Sequence, residues 1–153
     1  MNLLKLVLLA AMAAMCSSAA VGQTAYDADL ARKLGADDFG MKKYVFCMLK
    51  TGPNDAKFTG KERSDLFAGH LANIKRLAAA GKLALAGPFS ENGEGARGLF
   101  IFNVETVDEA RALVDTDPTI KAGVLIADLV PWYGTAALLE VNSLHNRIKK
   151  KDF

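Results

Sequence analysis

The stretch "FAGHLANIKRLAAAGKLALAGPF", Phe67 to Phe89, holds a helix and a strand back to back. Phe67, Leu71, Ile74, Leu77 and Ala78 recur at intervals of three and four, which predicts an amphipathic helix over about Lys61 to Ala80. Gly81 marks its end, and "KLALAGPF" reads as a strand closed by Gly87 and Pro88. One residue breaks the apolar stripe. His70 lies three residues after Phe67 and four before Ile74, so it shares their face. A buried imidazole needs hydrogen-bond partners. It is either a core histidine tied to a backbone carbonyl or to a hydroxyl such as Ser64 or Thr51, or part of a site.

Working outward gives the remaining elements. Upstream, Lys43 to Leu49 is rich in Val, Phe and Tyr and predicts the first strand, and "KTGPNDAKFTG" is a loop. Downstream, "SENGEGAR" is a glycine-rich turn leading to a third strand, "GLFIFNV", antiparallel to the second. "TVDEARALVDTD" predicts a second helix, with Thr106 as N-cap and Glu109 as its capping-box partner. "DPTIKAG" is a short extra turn, and "VLIADLVPWYG" is the fourth strand. A last helix is expected from about Thr135 to Lys149, with Ala137, Val141, Leu144 and Ile148 on one stripe. The order β-α-β-β-α-β predicts an α+β, ferredoxin-like domain: a four-stranded antiparallel sheet with two helices on one face, plus a C-terminal helix. Strands such as "GLFIF" are apolar at successive positions, so both faces need cover. The helix-free face must meet the tail helix or a second subunit, and a homodimer with facing sheets is expected.

The composition fits this picture. The chain has 153 residues, 51% hydrophobic and 24% charged, as expected for one globular domain. Its net charge of +2 is concentrated near Arg147, Lys149, Lys150 and Lys151, too weak and local for nucleic-acid binding. Residues 1–22 have the pattern of a secretory signal: Lys5, a short apolar run, then small residues up to "AVG", with cleavage near Gly22. The run is too short to span a membrane. Met15 before Cys16 argues against lipidation. A periplasmic or secreted protein is expected, without a membrane anchor after cleavage. Residues 23–41 form an N-terminal arm, 42–133 the domain and 134–153 the helical tail. Once the signal is removed Cys47 is the only cysteine, which precludes an intramolecular disulfide. No base neighbours it in sequence, so it reads as a small buried hydrophobe.

The candidates for chemistry are few. Asp117 precedes Pro118, the arrangement of an N-cap with proline at the first helical position. Asp115 and Asp128 are other carboxylates that His70 could meet. Asp115 is expected on the solvent side of its helix, and Asp128 in mid-strand would be costly to bury unpaired. The loop "GPFSENGEGARG" opens no helix and lacks a phosphate-binding pattern. His145 has no second metal ligand at a recognisable spacing. Trp132 and Tyr133 end the fourth strand as core or dimer contacts, or as pocket lining.

Two motifs in order, His70-Leu71 with Leu77, Gly81, Leu83 and Ala86-Gly87-Pro88, then Asp117-Pro118 with Ala122-Gly123, resemble the YCII-related (YciI-like) domain family over about Lys42 to Tyr133. The resemblance implies a dimeric α/β-barrel assembly of ferredoxin-like subunits. It also implies an active site built on His70 and Asp117, with Pro88 lining the cleft; Ser64 and Trp132 are the further candidates for substrate contact. A carboxylate beside an imidazole orients it and sets its tautomer, which suits general acid–base work. The chemistry expected is cofactor-free proton transfer on a small organic molecule, of the lyase or isomerase type. A non-catalytic module that binds a small ligand, or a dimeric structural module, is the alternative. The apparent signal and the two extensions set this chain apart from short members of that family.

Overall fold

The computed structural model describes residues 25–151. The expected signal segment, its cleavage point near Gly22 and Cys16 lie outside them. The elements run in the order α1 (Ala28–Leu34), β1 (Met41–Thr51), α2 (Gly60–Ala79), β2 (Leu83–Pro88), β3 (Ala96–Phe102), α3 (Val107–Val114), α4 (Pro118–Lys121), β4 (Leu125–Thr135) and α5 (Val141–Ile148). The strands form one antiparallel sheet in the order β2-β3-β1-β4. This is the ferredoxin-like arrangement, two βαβ units interleaved so that β1 and β3 lie at the centre.

Strand periodicity decides which side chains meet the helices. Val45, Cys47 and Leu49 of β1 point to the helix side and join Phe100, Phe102, Leu77 and Val114 in the main core. Each fully buried Val or Leu there contributes about 1.5–3 kcal/mol of burial. Tyr44 and Phe46 point the other way and meet Ile101 and Leu99. The expected capping box is present: Thr106 accepts from Glu109 N, and the Glu109 carboxylate reaches back to Thr106 N. Cys47 is buried at the sheet centre, and desolvation pushes its thiol up to about 12, so it behaves as an apolar side chain.

β1 is longer than the Lys43 to Leu49 that the sequence predicts, because it pairs with β4 over eleven residues, from Met41 opposite Thr135 to Thr51 opposite Leu125; β4 has the expected length, one residue further along. The tail also departs from expectation. A single helix from Thr135 is replaced by a tight 3₁₀ turn, Ala136–Glu140, followed by α5. The turn lays Leu138 and Leu139 over the far face of the sheet beside Tyr44 and Ile101. The stripe expected to bury Leu144 and Ile148 instead faces solvent, with Ile148 79% exposed. Amphipathic spacing marks a face able to be covered, and here the 3₁₀ turn does the covering. The β4 side of that far sheet face stays open: Ile126, Val130 and Trp132 share it and are all exposed.

Candidate functional site

The centre of the site is the contact the two motifs make in space. His70, at the middle of α2, points to the sheet and is 9% exposed. Its ring stacks on Phe100 of β3 at 5.9 Å and meets Phe67 edge-on at 6.0 Å. Asp117 is 2% exposed and sits just before α4. Its two carboxylate oxygens have different tasks. Oδ1 accepts from Thr119 N at 2.9 Å and from the Thr119 hydroxyl at 2.6 Å, which caps α4. Oδ2 lies 2.7 Å from His70 Nδ1. The cap and the partner to the imidazole are therefore one residue.

Packing brings these elements together. Gly69, beside His70, faces Pro118; a Cβ there would come within 2.8 Å of Pro118 Cγ. A side chain at this position would push α4, and Asp117 with it, away from the imidazole. The missing Cβ lets the cap approach to hydrogen-bonding distance.

The electrostatics follow. Burial alone raises the Asp117 carboxyl, but hydrogen bonds from His70 and Thr119, with the imidazole's charge, more than offset it and hold the group below its ordinary value of 3.8. At neutral pH Asp117 is an anion that can only accept, so Nδ1 carries the proton that it accepts. The lone pair of the neutral imidazole is then on Nε2. Nε2 has no hydrogen bond from the described residues, and none of their buried side-chain nitrogens or oxygens is left unpartnered, so Nε2 reaches solvent. One ring nitrogen is fixed and the other is open, the arrangement a general base needs.

The other expected residues divide. Pro88 is exposed and pairs with Gly98, two residue pairs along the strands from Ala86 and Phe100, the latter stacked on the imidazole. Ser64 is exposed, and at six residues from His70 it lies about a third of a turn away from that face, so it does not reach the pair. Trp132 is opposite Tyr44 and packs on it at 5.7 Å, on the face of the sheet turned away from His70. It does not line this site within one chain, because the sheet stands between them. Asp115 is exposed at the end of α3, and Asp128 is exposed and paired with Lys50 at 2.6 Å, so neither meets the imidazole. Among the described residues no group of three or more His, Cys, Asp and Glu is placed to hold a metal ion.

Sequence reasoning missed Thr119 and Phe100. Thr119 is fully buried, and its hydroxyl is also 3.5 Å from His70 Nδ1. The "DPT" triplet carries the signal, since a hydroxyl two residues after an N-cap is within reach of the capping carboxylate. Thr119→Val keeps the shape and removes this donor. It is expected to cost about 1 kcal/mol at pH 7. It should also narrow the stability difference between neutral and acid pH, because the carboxyl is then depressed less. Urea unfolding at both pH values checks this.

A ferredoxin-like domain with a buried carboxylate–imidazole pair is thus the class of protein. The chain belongs to the YCII-related domain family, which it matches over residues 43–133. No curated protein matches it. Among solved structures it is similar to the 5-chloro-2-hydroxyhydroquinone dehydrochlorinase of Burkholderia phenoliruptrix, solved in complex with 2,5-dihydroxybenzoquinone. The identity is 27% and the TM-score 0.43, covering 57% of this chain and 92% of that one.

Proposed function

We propose that this protein is a cofactor-free enzyme acting on a small molecule by proton transfer, with His70 as the base and Asp117 as the residue that orients it. The observation that carries this reading is the asymmetry of the imidazole: Nδ1 bonded to a buried carboxylate at 2.7 Å, Nε2 open. In the step proposed, Nε2 takes a proton from a carbon beside a carbonyl. The C–H pair moves into the carbonyl as an enolate, and the imidazolium is stabilised by Asp117. The enolate then collapses by reprotonation at another carbon, giving an isomer, or by expulsion of a leaving group, giving elimination. Ring contacts with Phe67 and Phe100 hold the imidazole in place for this. The test is proton–deuterium exchange by NMR, with a panel of small carbonyl compounds in deuterated buffer. Enzyme-dependent exchange at one carbon of a panel member is expected. Exchange equal to that of buffer across the panel, while ligands still stabilise the fold, would favour the reading as a non-catalytic binding module.

We also propose that the chain works as a homodimer, exported by way of residues 1–22. Ile126, Val130 and Trp132 on one open sheet face support the dimer, since such a patch on β4 is costly to leave in water. Val130, 53% exposed, is the residue to change. Val130→Asp is expected to turn a dimer into a folded monomer in analytical ultracentrifugation. A wild-type chain that sediments as a monomer would remove the proposal.

A further inference from the structure

A closed circuit of contacts leads from His70 to two guanidinium groups. The Arg63 guanidinium lies over the Phe67 ring at 5.1 Å, and Phe67 meets His70 edge-on. Arg63 donates to the Asp55 carboxylate at 2.8 Å and to the Asp55 carbonyl at 3.0 Å. Arg97 Nη1 is 3.9 Å from the same Asp55 oxygen. Arg97 stands at the irregularity where β3 pairs with the end of β1, next to Gly98. Gly98 is two residues from Phe100, which brings the circuit back to His70. No side chain rises from Gly98: a Cβ there would come within 2.7 Å of Gly87 O. The floor of this ring is bare backbone.

The charge is unbalanced. Two guanidiniums share one carboxylate, which leaves a surplus of one positive charge. Both arginines are partly open to solvent and form no other ion pair among the described residues. Arg97 touches its partner only at the edge of ion-pair distance, so most of its donors remain available. A guanidinium with donors to spare is the group best shaped to grip a carboxylate through two parallel hydrogen bonds. The wall between the arginines and the imidazole is aromatic, which suits a flat body.

We propose that the site takes a small planar organic carboxylate, its anionic group held by Arg97 and Arg63 and its reacting carbon turned toward His70 Nε2. This deepens the proton-transfer reading and rests on it. The arginines then choose the substrate and His70 reacts with it.

Benzoate and benzamide make the test, being the same shape with and without the charge. The chain has 2 histidines, His70 and the exposed His145, so the imidazole NMR signals report the site directly. Benzoate is expected to shift the His70 signals and leave those of His145 in place. Benzamide should bind at least about tenfold more weakly, and Arg97→Gln should weaken benzoate by about tenfold without changing benzamide. Equal affinity for the two probes, indifference of benzoate to Arg97→Gln, or no His70 shift at tens of millimolar benzoate would each overturn the proposal. Arg97 is 39% exposed in its side chain, so its replacement leaves the fold intact. Binding selectivity and proton exchange are separate readouts. A failure here with exchange intact removes only the carboxylate class, and a failure of exchange with selectivity intact removes only the chemistry.

Discussion

His70→Asn is expected to lower turnover by about 10²–10⁴-fold on any substrate the wild-type chain converts, the range a positioned general base contributes. Asparagine is the informative replacement. Its amide nitrogen stands near the place of Nδ1 and can still donate to Asp117, while nothing stands where Nε2 was. The hydrogen bond that ties α2 to α4 therefore survives and the base does not. Stability should fall by only about 1–2 kcal/mol, from lost packing on Phe100. Steady-state rates set beside urea unfolding check both halves. A variant that keeps its turnover would show that the imidazole has no part in the chemistry.

Asp117→Ala is expected to be the costliest polar substitution in the domain, at about 3 kcal/mol of unfolding free energy at pH 7. It combines the loss of an N-cap, about 1 kcal/mol, with a buried imidazole nitrogen left without its acceptor, about 1–3 kcal/mol. The pH profile gives a second signature. The Asp117 carboxyl titrates below its ordinary value of 3.8 in the folded chain. Its contribution is then fully present above that ordinary value and fades as pH falls through the lower, folded value. The wild-type chain should lose this part of its stability in acid, and Asp117→Ala should lack it. Asp117→Asn divides the two tasks. Asparagine caps helices well, so α4 should hold. Its amide would donate to Nδ1 and force the imidazole proton onto Nε2. Activity should then collapse while most of the stability remains.

Much of this was legible in the sequence, for reasons that differ by element. The helix of His70 and the strand after it follow from local spacing, as does the capping box of Thr106 and Glu109. Two motifs in order named His70 and Asp117. That Asp117 both caps and orients was not legible, since the residue types fit either task alone and only the approach of Gly69 to Pro118 unites them. The face that Trp132 takes was not legible, because alternation along a strand gives two faces without saying which one holds the helices. Only the pairing of Trp132 with Tyr44 decides that. Arg63 and Arg97 are 34 positions apart and meet through Asp55 and a local irregularity of β3, which no spacing rule encodes. The tail stripe misled because period reports amphipathicity and not what lies opposite.

The divided carboxylate of Asp117 bears on how other chains of this family are read. A chain that had given up proton transfer would still need a capping side chain at this position to start α4, a duty that aspartate meets whatever the histidine does. The histidine caps no helix: its structural part is the hydrogen bond to Asp117 Oδ2 and its contact with Phe100. Aspartate alone in this motif therefore says only that the short helix is intact. On the proton-transfer reading proposed above, histidine with aspartate is the combination that marks a chain equipped for the step.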